Sequence, residues 1–113
     1  MTADDAREAL IARLAEIDDQ ERAGEEDRKP VTLQQDSVGR LSRMDAMQVQ
    51  AMALATAQRR RAEKLRIEAA LGRLDEGEWG WCAGCGDKIA GKRLAHDPSV
   101  ARCIACAGAA EAS

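Results

Sequence analysis

The chain has no phenylalanine and no tyrosine, and only two tryptophans, one histidine and two prolines in 113 residues. Without large aromatic side chains, apolar volume is scarce. Both tryptophans, Trp79 and Trp81, stand immediately before the first cysteine, so that volume is concentrated at one place. This is expected where a metal substitutes for a core too small to be stable alone. No apolar run approaches the roughly twenty residues needed to cross a bilayer. The N-terminal residues Asp4, Asp5, Arg7 and Glu8 lack the apolar stretch of a signal peptide. The single histidine has no nucleophile or carboxylate partner at a motif spacing, so nothing supports an enzyme.

The four cysteines form two C-x-x-C pairs, Cys82-Ala83-Gly84-Cys85 and Cys103-Ile104-Ala105-Cys106, separated by seventeen residues. That spacing reads as a zinc site, and four thiolates make the tetrahedral sulfur shell that zinc favours. The metal ligands are therefore expected to be Cys82, Cys85, Cys103 and Cys106, holding one structural Zn2+. Gly86 follows the first pair, where a knuckle needs a residue tolerating positive φ. His96, between the pairs, is the lesser candidate for a ligand. A redox role is the rival reading of a lone C-x-x-C, but two pairs without a βαβ pattern argue for zinc. A closed four-sulfur shell leaves no position at which water could be activated. Paired thiols without a secretion signal imply a reducing, cytoplasmic setting.

The net charge of −3 is unevenly spread: residues 1–30 carry −5, residues 31–74 carry +4 and residues 75–113 carry −2. A DNA-binding finger would need a basic recognition face. Here the basic segment has an acidic one beside it. The Ala-rich, charge-rich remainder fits long helices better than a globule.

Residues 4–23 read as a helix, with Ala6, Leu10, Leu14 and Ile17 on one face. Gly24 and Pro30 end it. A second helix restarts between Asp36 and Ser42, with Asp36, Ser37 and Ser42 as candidate N-caps. It runs to about Glu76 on a thin heptad seam of Leu41, Met44, Gln48, Ala51, Ala55, Gln58, Ala62, Leu65 and Ala69. Met44, Met47 and Met52 are assigned to this seam rather than to an adaptable contact surface. The economical partner is the first helix, giving an antiparallel hairpin. With a turn near residue 33, Asp4, Asp5 and Glu8 would approach Arg59 to Arg61. The arginine run is then a paired or solvated face rather than a phosphate contact. Gly77 is the expected C′ residue of the long helix. Between the cysteine pairs, Ile89-Ala90-Gly91 and Leu94 suggest a short hairpin, and a short helix should follow from Cys106. Trp79 and Trp81 are expected to pack against the finger. The predicted fold is mainly α: a coiled-coil hairpin over residues 1–76, with its tip at about 31–45, then a small four-cysteine zinc module over residues 77–113.

The run Arg73-Leu74-Asp75-Glu76-Gly77-Glu78-Trp79-Gly80-Trp81-Cys82, the closing Cys103-Ile104-Ala105-Cys106, and the matches at Ile67-Glu68-Ala69-Ala70-Leu71 and Arg93-Leu94 resemble the DksA/TraR family of zinc-finger transcription regulators. The resemblance is specific over about residues 59–111. It implies a protein that binds RNA polymerase rather than specific DNA sequences, and a monomer is expected. The hairpin would enter the secondary channel and its tip would alter promoter complexes near the catalytic centre. The family's tip motif, D-x-x-D-x-A, finds its nearest match at Asp36-Ser37-Val38-Gly39-Arg40-Leu41, which keeps only the first aspartate. Asp45-Ala46 could supply the acidic tip residue instead. Of the family's cationic contacts for the alarmone ppGpp, two are replaced by Asp97 and Ala107, while Arg59 and Arg66 keep a positive charge. A highly charged anion should bind poorly there, so action without ppGpp at that site is expected. The same hairpin could also serve a protein partner other than RNA polymerase.

Overall fold

The computed structural model describes residues 1–25 and 40–112, the side chains of 40–42 and 110–112 excepted. Among these residues four helices follow in order: α1 (Ala3–Ala23), α2 (Arg40–Asp75), α3 (Gly91–His96) and α4 (Ile104–Ala112). The only pairing of extended backbone among the described residues is an isolated antiparallel bridge between Trp81 and Lys88. The fold is mainly helical, as expected. Within the finger, residues 91–96 are helical where a hairpin was predicted. Arg93 and Leu94 donate their N–H groups back to the Ala90 carbonyl, starting a turn of helix after the bridge.

The start of α1 is fixed by a reciprocal pair that the sequence reading missed. The Thr2 hydroxyl accepts from the Asp5 N–H and the Asp5 carboxylate accepts from the Thr2 N–H, both at 3.1 Å. This is the capping-box arrangement, which satisfies two N–H groups at the helix entrance. It holds the Asp5 carboxyl below its usual range, chiefly through the Thr2 N–H. Ser42, a candidate cap from sequence, lies inside α2, whose helix already includes Arg40. Asp36 and Ser37 lie outside the described residues.

Two compact units are distinguished, Met1–Ala15 with Lys64–Ser113, and Glu16–Glu63. In the first, Ala6 and Leu10 of α1 and Ile67 and Ala70 of α2 are buried, and Arg7 pairs with Asp75 at 2.8 Å. In the second, Ile17 is buried and Arg60 donates to Glu21 at 3.0 Å. Within this second unit Glu21 meets Arg60 while Gly24 lies beside Ala53 and Thr56, so residue numbers rise along α1 as they fall along α2 and the helices run antiparallel there. The Glu21–Arg60 pair is centred in sequence on about residue 41. The register therefore differs from the one expected: Arg60 meets Glu21, not the acids at the start of α1. The reason is one of magnitude. Exposed ion pairs contribute ~0–1 kcal/mol each, whereas burying a large aliphatic side chain contributes ~1.5–3 kcal/mol. Apolar burial sets the alignment and the charges follow it.

The expected face of α1 is the observed one, since Ala6, Leu10 and Ile17 are buried and Leu14 is half-buried. The seam of α2 is not. At three- and four-residue steps Ala53, Thr56, Arg60, Glu63, Ile67, Ala70 and Leu74 are buried or half-buried, with Gln50, Ala55, Ala57, Lys64, Leu71 and Arg73 also half-buried off that line. The predicted stripe is mostly exposed, with Leu65 at 61 % and Met44 at 55 %. Charged Arg60 and Glu63 occupy seam positions, and a reading that follows apolar residues alone steps over them.

Candidate metal centre

α2 ends in a pattern that aims the chain into the finger. The Glu78 N–H reaches the Arg73 carbonyl at 2.8 Å and the Gly77 N–H the Leu74 carbonyl at 3.2 Å, with Gly77 at φ 73°. This is a Schellman motif, with Gly77 at the predicted C′ position. From there Gly80 to Cys82 runs against Asp87 to Ile89. Cys82 donates to the Asp87 carbonyl at 2.7 Å, and Ile89 donates to the Gly80 carbonyl at 2.8 Å. Gly86 turns the chain between them at φ 79°, as its position after the cysteine pair suggested.

The second cysteine pair is brought to the first by a segment tied down along its length. Ala83 donates to the Ala101 carbonyl at 2.8 Å. The Trp79 indole N–H donates to the Pro98 carbonyl at 2.9 Å, and Arg93 donates to the Arg102 carbonyl at 2.9 Å. Arg73, in the last turn of α2, reaches the Ser99 and Val100 carbonyls at 3.4 and 3.3 Å. Asp97 accepts from both the N–H and the hydroxyl of the buried Ser99, at 3.0 and 2.7 Å, closing the turn that precedes Cys103. α4 then carries Cys106 in its first turn.

The result is a cluster in which the sulfurs of Cys82, Cys85, Cys103 and Cys106 all lie within 4.8 Å of one another. Cys85 and Cys103 are 3.8 Å apart. A regular tetrahedron of sulfurs at ~2.3 Å from zinc has edges of about 3.8 Å, so the donor set fits the ion in both chemistry and size. The Cys82 sulfur accepts N–H groups from Cys103 and Gly84 at 3.3 Å and from Cys85 at 3.5 Å. Those donors, Cys103 first and then Cys85, hold the Cys82 thiol down at about 6 even without a cation. The same donors would orient a bound thiolate and disperse its charge. Crowding by the sulfurs of Cys103, Cys82 and Cys85 pushes the Cys106 thiol up to about 12. Four sulfurs this close cannot all ionise without a cation between them.

His96 is exposed and not part of the cluster. Gly84 escaped the sequence reading. A Cβ there would sit 3.1 Å from the Cys106 sulfur and 3.3 Å from its Cβ, so the missing side chain lets the first knuckle close on the last ligand position. The signal was present as the glycine inside C-x-G-C. Cys82 also joins Ile89 and Leu94 in the finger's small core, against which Trp79 and Val100 pack. Trp81 does not pack as expected. It alternates with its neighbours along the bridge, so the residue is 51 % exposed. Asp45 is an exposed residue of α2, and Asp36 lies outside the described residues.

Residues 77–112 match the family described as the prokaryotic dksA/traR C4-type zinc finger. Among curated protein sequences, none matches the chain. Among solved structures, the chain is similar to the transcription factor DksA2 from Pseudomonas aeruginosa, with a TM-score of 0.76 and 22 % identity over 96 % of this chain and 82 % of that one. At that identity the likeness shows the fold alone. Over residues 77–112 the chain is similar to the dksA/traR zinc finger, and its four cysteines there are placed to hold one structural zinc ion.

Proposed function

We propose that this protein is a cytoplasmic transcription regulator that acts on RNA polymerase directly, as a monomer and without enzymatic activity. The carrying observation is the combination of parts: a dksA/traR-type finger joined through Gly77 to an antiparallel helix pair, in a fold shared with a named transcription factor. In this reading Cys82, Cys85, Cys103 and Cys106 ligate the zinc, residues 77–113 form the base and residues 1–76 the hairpin. The hairpin enters the secondary channel and modulates promoter complexes from a tip at about 31–45, with Asp36 or Asp45 as the acidic tip residue.

The regulator acts without ppGpp at the polymerase–factor site. At one family contact position Asp97 presents a carboxylate already engaged by Ser99. A negative group there repels a polyphosphate. The test is binding to core RNA polymerase in competition with a known secondary-channel factor. Asp36→Asn and Asp45→Asn would run beside the parent in a promoter-complex lifetime assay, with and without ppGpp. Competitive binding is expected, with one substitution keeping affinity but losing the effect. Absence of binding by the zinc-loaded, folded protein would overturn the reading and point to another protein partner for the hairpin.

A further inference from the structure

α2 carries two apolar stripes, and only one of them faces α1. In the unit formed by Glu16–Glu63, Arg60 bonds Glu21, and Gly24, Ala53, Thr56 and Arg60 line one small cavity of about 200 Å³. These residues mark the inner side of this part of α2. At ~100° per residue, Met44, Met47, Ala51 and Leu54 share a different face, turned away from Ala53, Thr56 and Arg60. The three larger side chains are 45–56 % exposed, and Ala51 is exposed too. It overlaps the stripe that sequence periodicity assigned to the hairpin seam, sharing Met44, Met47 and Ala51 with it and adding Leu54. It has the spacing of a helix-pairing surface, but α1 lies elsewhere.

Its composition separates it from an ordinary solvated face. Three of the four methionines in the chain fall between residues 44 and 52. From 46 to 62 there is no acidic residue and no lysine, while Arg43, Arg59 and Arg61 are exposed on the flanks. The nearest acids in sequence, Asp45 and Glu63, fall on the inner side by helical phase. Methionine and arginine are enriched in protein interfaces, whereas lysine, aspartate and glutamate are depleted there. Methionine also adapts its shape to a partner's side chains. A second copy of this chain is a poor occupant, because pairing the face with itself sets arginine against arginine.

We propose that this outer face of α2, Met44, Met47, Ala51 and Leu54 between Arg43 and Arg61, docks an amphipathic helix of a partner protein whose apolar seam is flanked by acidic side chains. The recognition mode is helix against helix: apolar side chains at three- and four-residue steps supply affinity and the arginine flanks choose the partner by charge. The inference concerns the side of the hairpin rather than its tip. It stands independently of the proposed polymerase channel binding.

The probes are two labelled synthetic helices with the same leucine seam, one flanked by glutamate and one by lysine, titrated with the zinc-loaded full-length protein. The glutamate helix should bind at least about tenfold more tightly than the lysine helix, with affinity falling as salt is added. Met47→Glu with Leu54→Glu should abolish binding while leaving thermal midpoint and zinc content unchanged, since both side chains are exposed. Arg43→Glu with Arg61→Glu should reverse the preference between the two helices, a readout that a folding defect cannot produce. Equal binding of both helices, or of neither, overturns the proposal. So does duplex DNA binding that the arginine reversal abolishes, which would make the face a nucleic-acid contact. A parent dimer in sedimentation that Met47→Glu with Leu54→Glu makes monomeric also overturns it, and would assign the face to a second copy.

Discussion

At Gly84 a single absent methyl group decides how closely the first knuckle can approach Cys106. The 3.1 Å that a Cβ would leave to the Cys106 sulfur is too short, and the atom that would have to move is a sulfur clustered with three others. Gly84→Ala should therefore weaken the finger by about 1–3 kcal/mol, the usual range for inserting a methyl group into a filled site. A chelator-competition titration should show reduced zinc affinity, and thermal unfolding of the zinc-loaded protein a lowered midpoint. Unchanged values in both would mean the knuckle has room that the geometry denies. Gly72, with nothing within 4 Å of its notional Cβ, supplies the control: Gly72→Ala should stabilise α2 slightly, by up to ~1 kcal/mol. The cysteine spacing was legible in sequence because four identical donors at fixed separations admit few readings. Gly84 was harder, because its constraint comes from Cys106, twenty-two positions later in the chain.

At the scale of the helices, the misread seam of α2 is the informative case. Leu65 and Ile67 are two positions apart and both are large aliphatics, so periodicity alone could start the stripe from either. The structure buries Ile67 almost completely and leaves Leu65 61 % exposed. Ile67→Ala should cost about 2–5 kcal/mol in denaturant unfolding, the range for truncating a buried aliphatic, while Leu65→Ala should change stability by less than about 0.5 kcal/mol. Equal effects would restore the seam that the sequence suggested. The arginine run separates in the same way. Arg60, in a partly buried pair with Glu21, should cost about 1–2 kcal/mol when replaced by alanine, between the exposed and buried limits for ion pairs. Arg59→Ala and Arg61→Ala should be close to neutral, and a double-mutant cycle with Glu21→Gln should couple to position 60 only.

The start of α1 offers a pH test at the same scale. The Asp5 carboxyl titrates below its ordinary value because the Thr2 N–H bonds its charged form. A lowered folded-state pKa contributes stability that is complete above the ordinary carboxylate range, near pH 4, and is lost as pH falls through the lowered value. Thr2→Ala, which removes the reciprocal hydroxyl, should cost ~1 kcal/mol at neutral pH. Asp5→Asn should remove this part of the acid dependence of unfolding.

At the scale of the whole chain, zinc is the link on which cooperativity depends. The finger's own core has Cys82, Ile89 and Leu94 buried, with Trp79 and Val100 packed against them. So few apolar side chains bury too little area to offset the conformational entropy of some thirty-five ordered residues, at ~1–2 kcal/mol each for the backbone alone. Metal binding must then supply much of the folding free energy of residues 77–112. Those residues share a compact unit with Met1–Ala15 and with α2 from Lys64 onwards. Arg73 ties the last turn of α2 to the Ser99 and Val100 carbonyls, and Asp75 ties it to Arg7. Strong chelation should accordingly erase amide protection in 77–112 and weaken it in 1–15 and 64–76, because those segments lose partners in the same unit. Protection over 50–60, where Arg60 meets Glu21, should change least. Hydrogen exchange with and without chelator reads all three regions in one experiment, and the Trp79 indole, bonded to the Pro98 carbonyl, reports the finger independently by its emission. Full protection of 77–112 in the metal-free protein would show that the finger folds on side-chain packing alone. Uniform loss from 1 to 112 would show that the two units unfold as one.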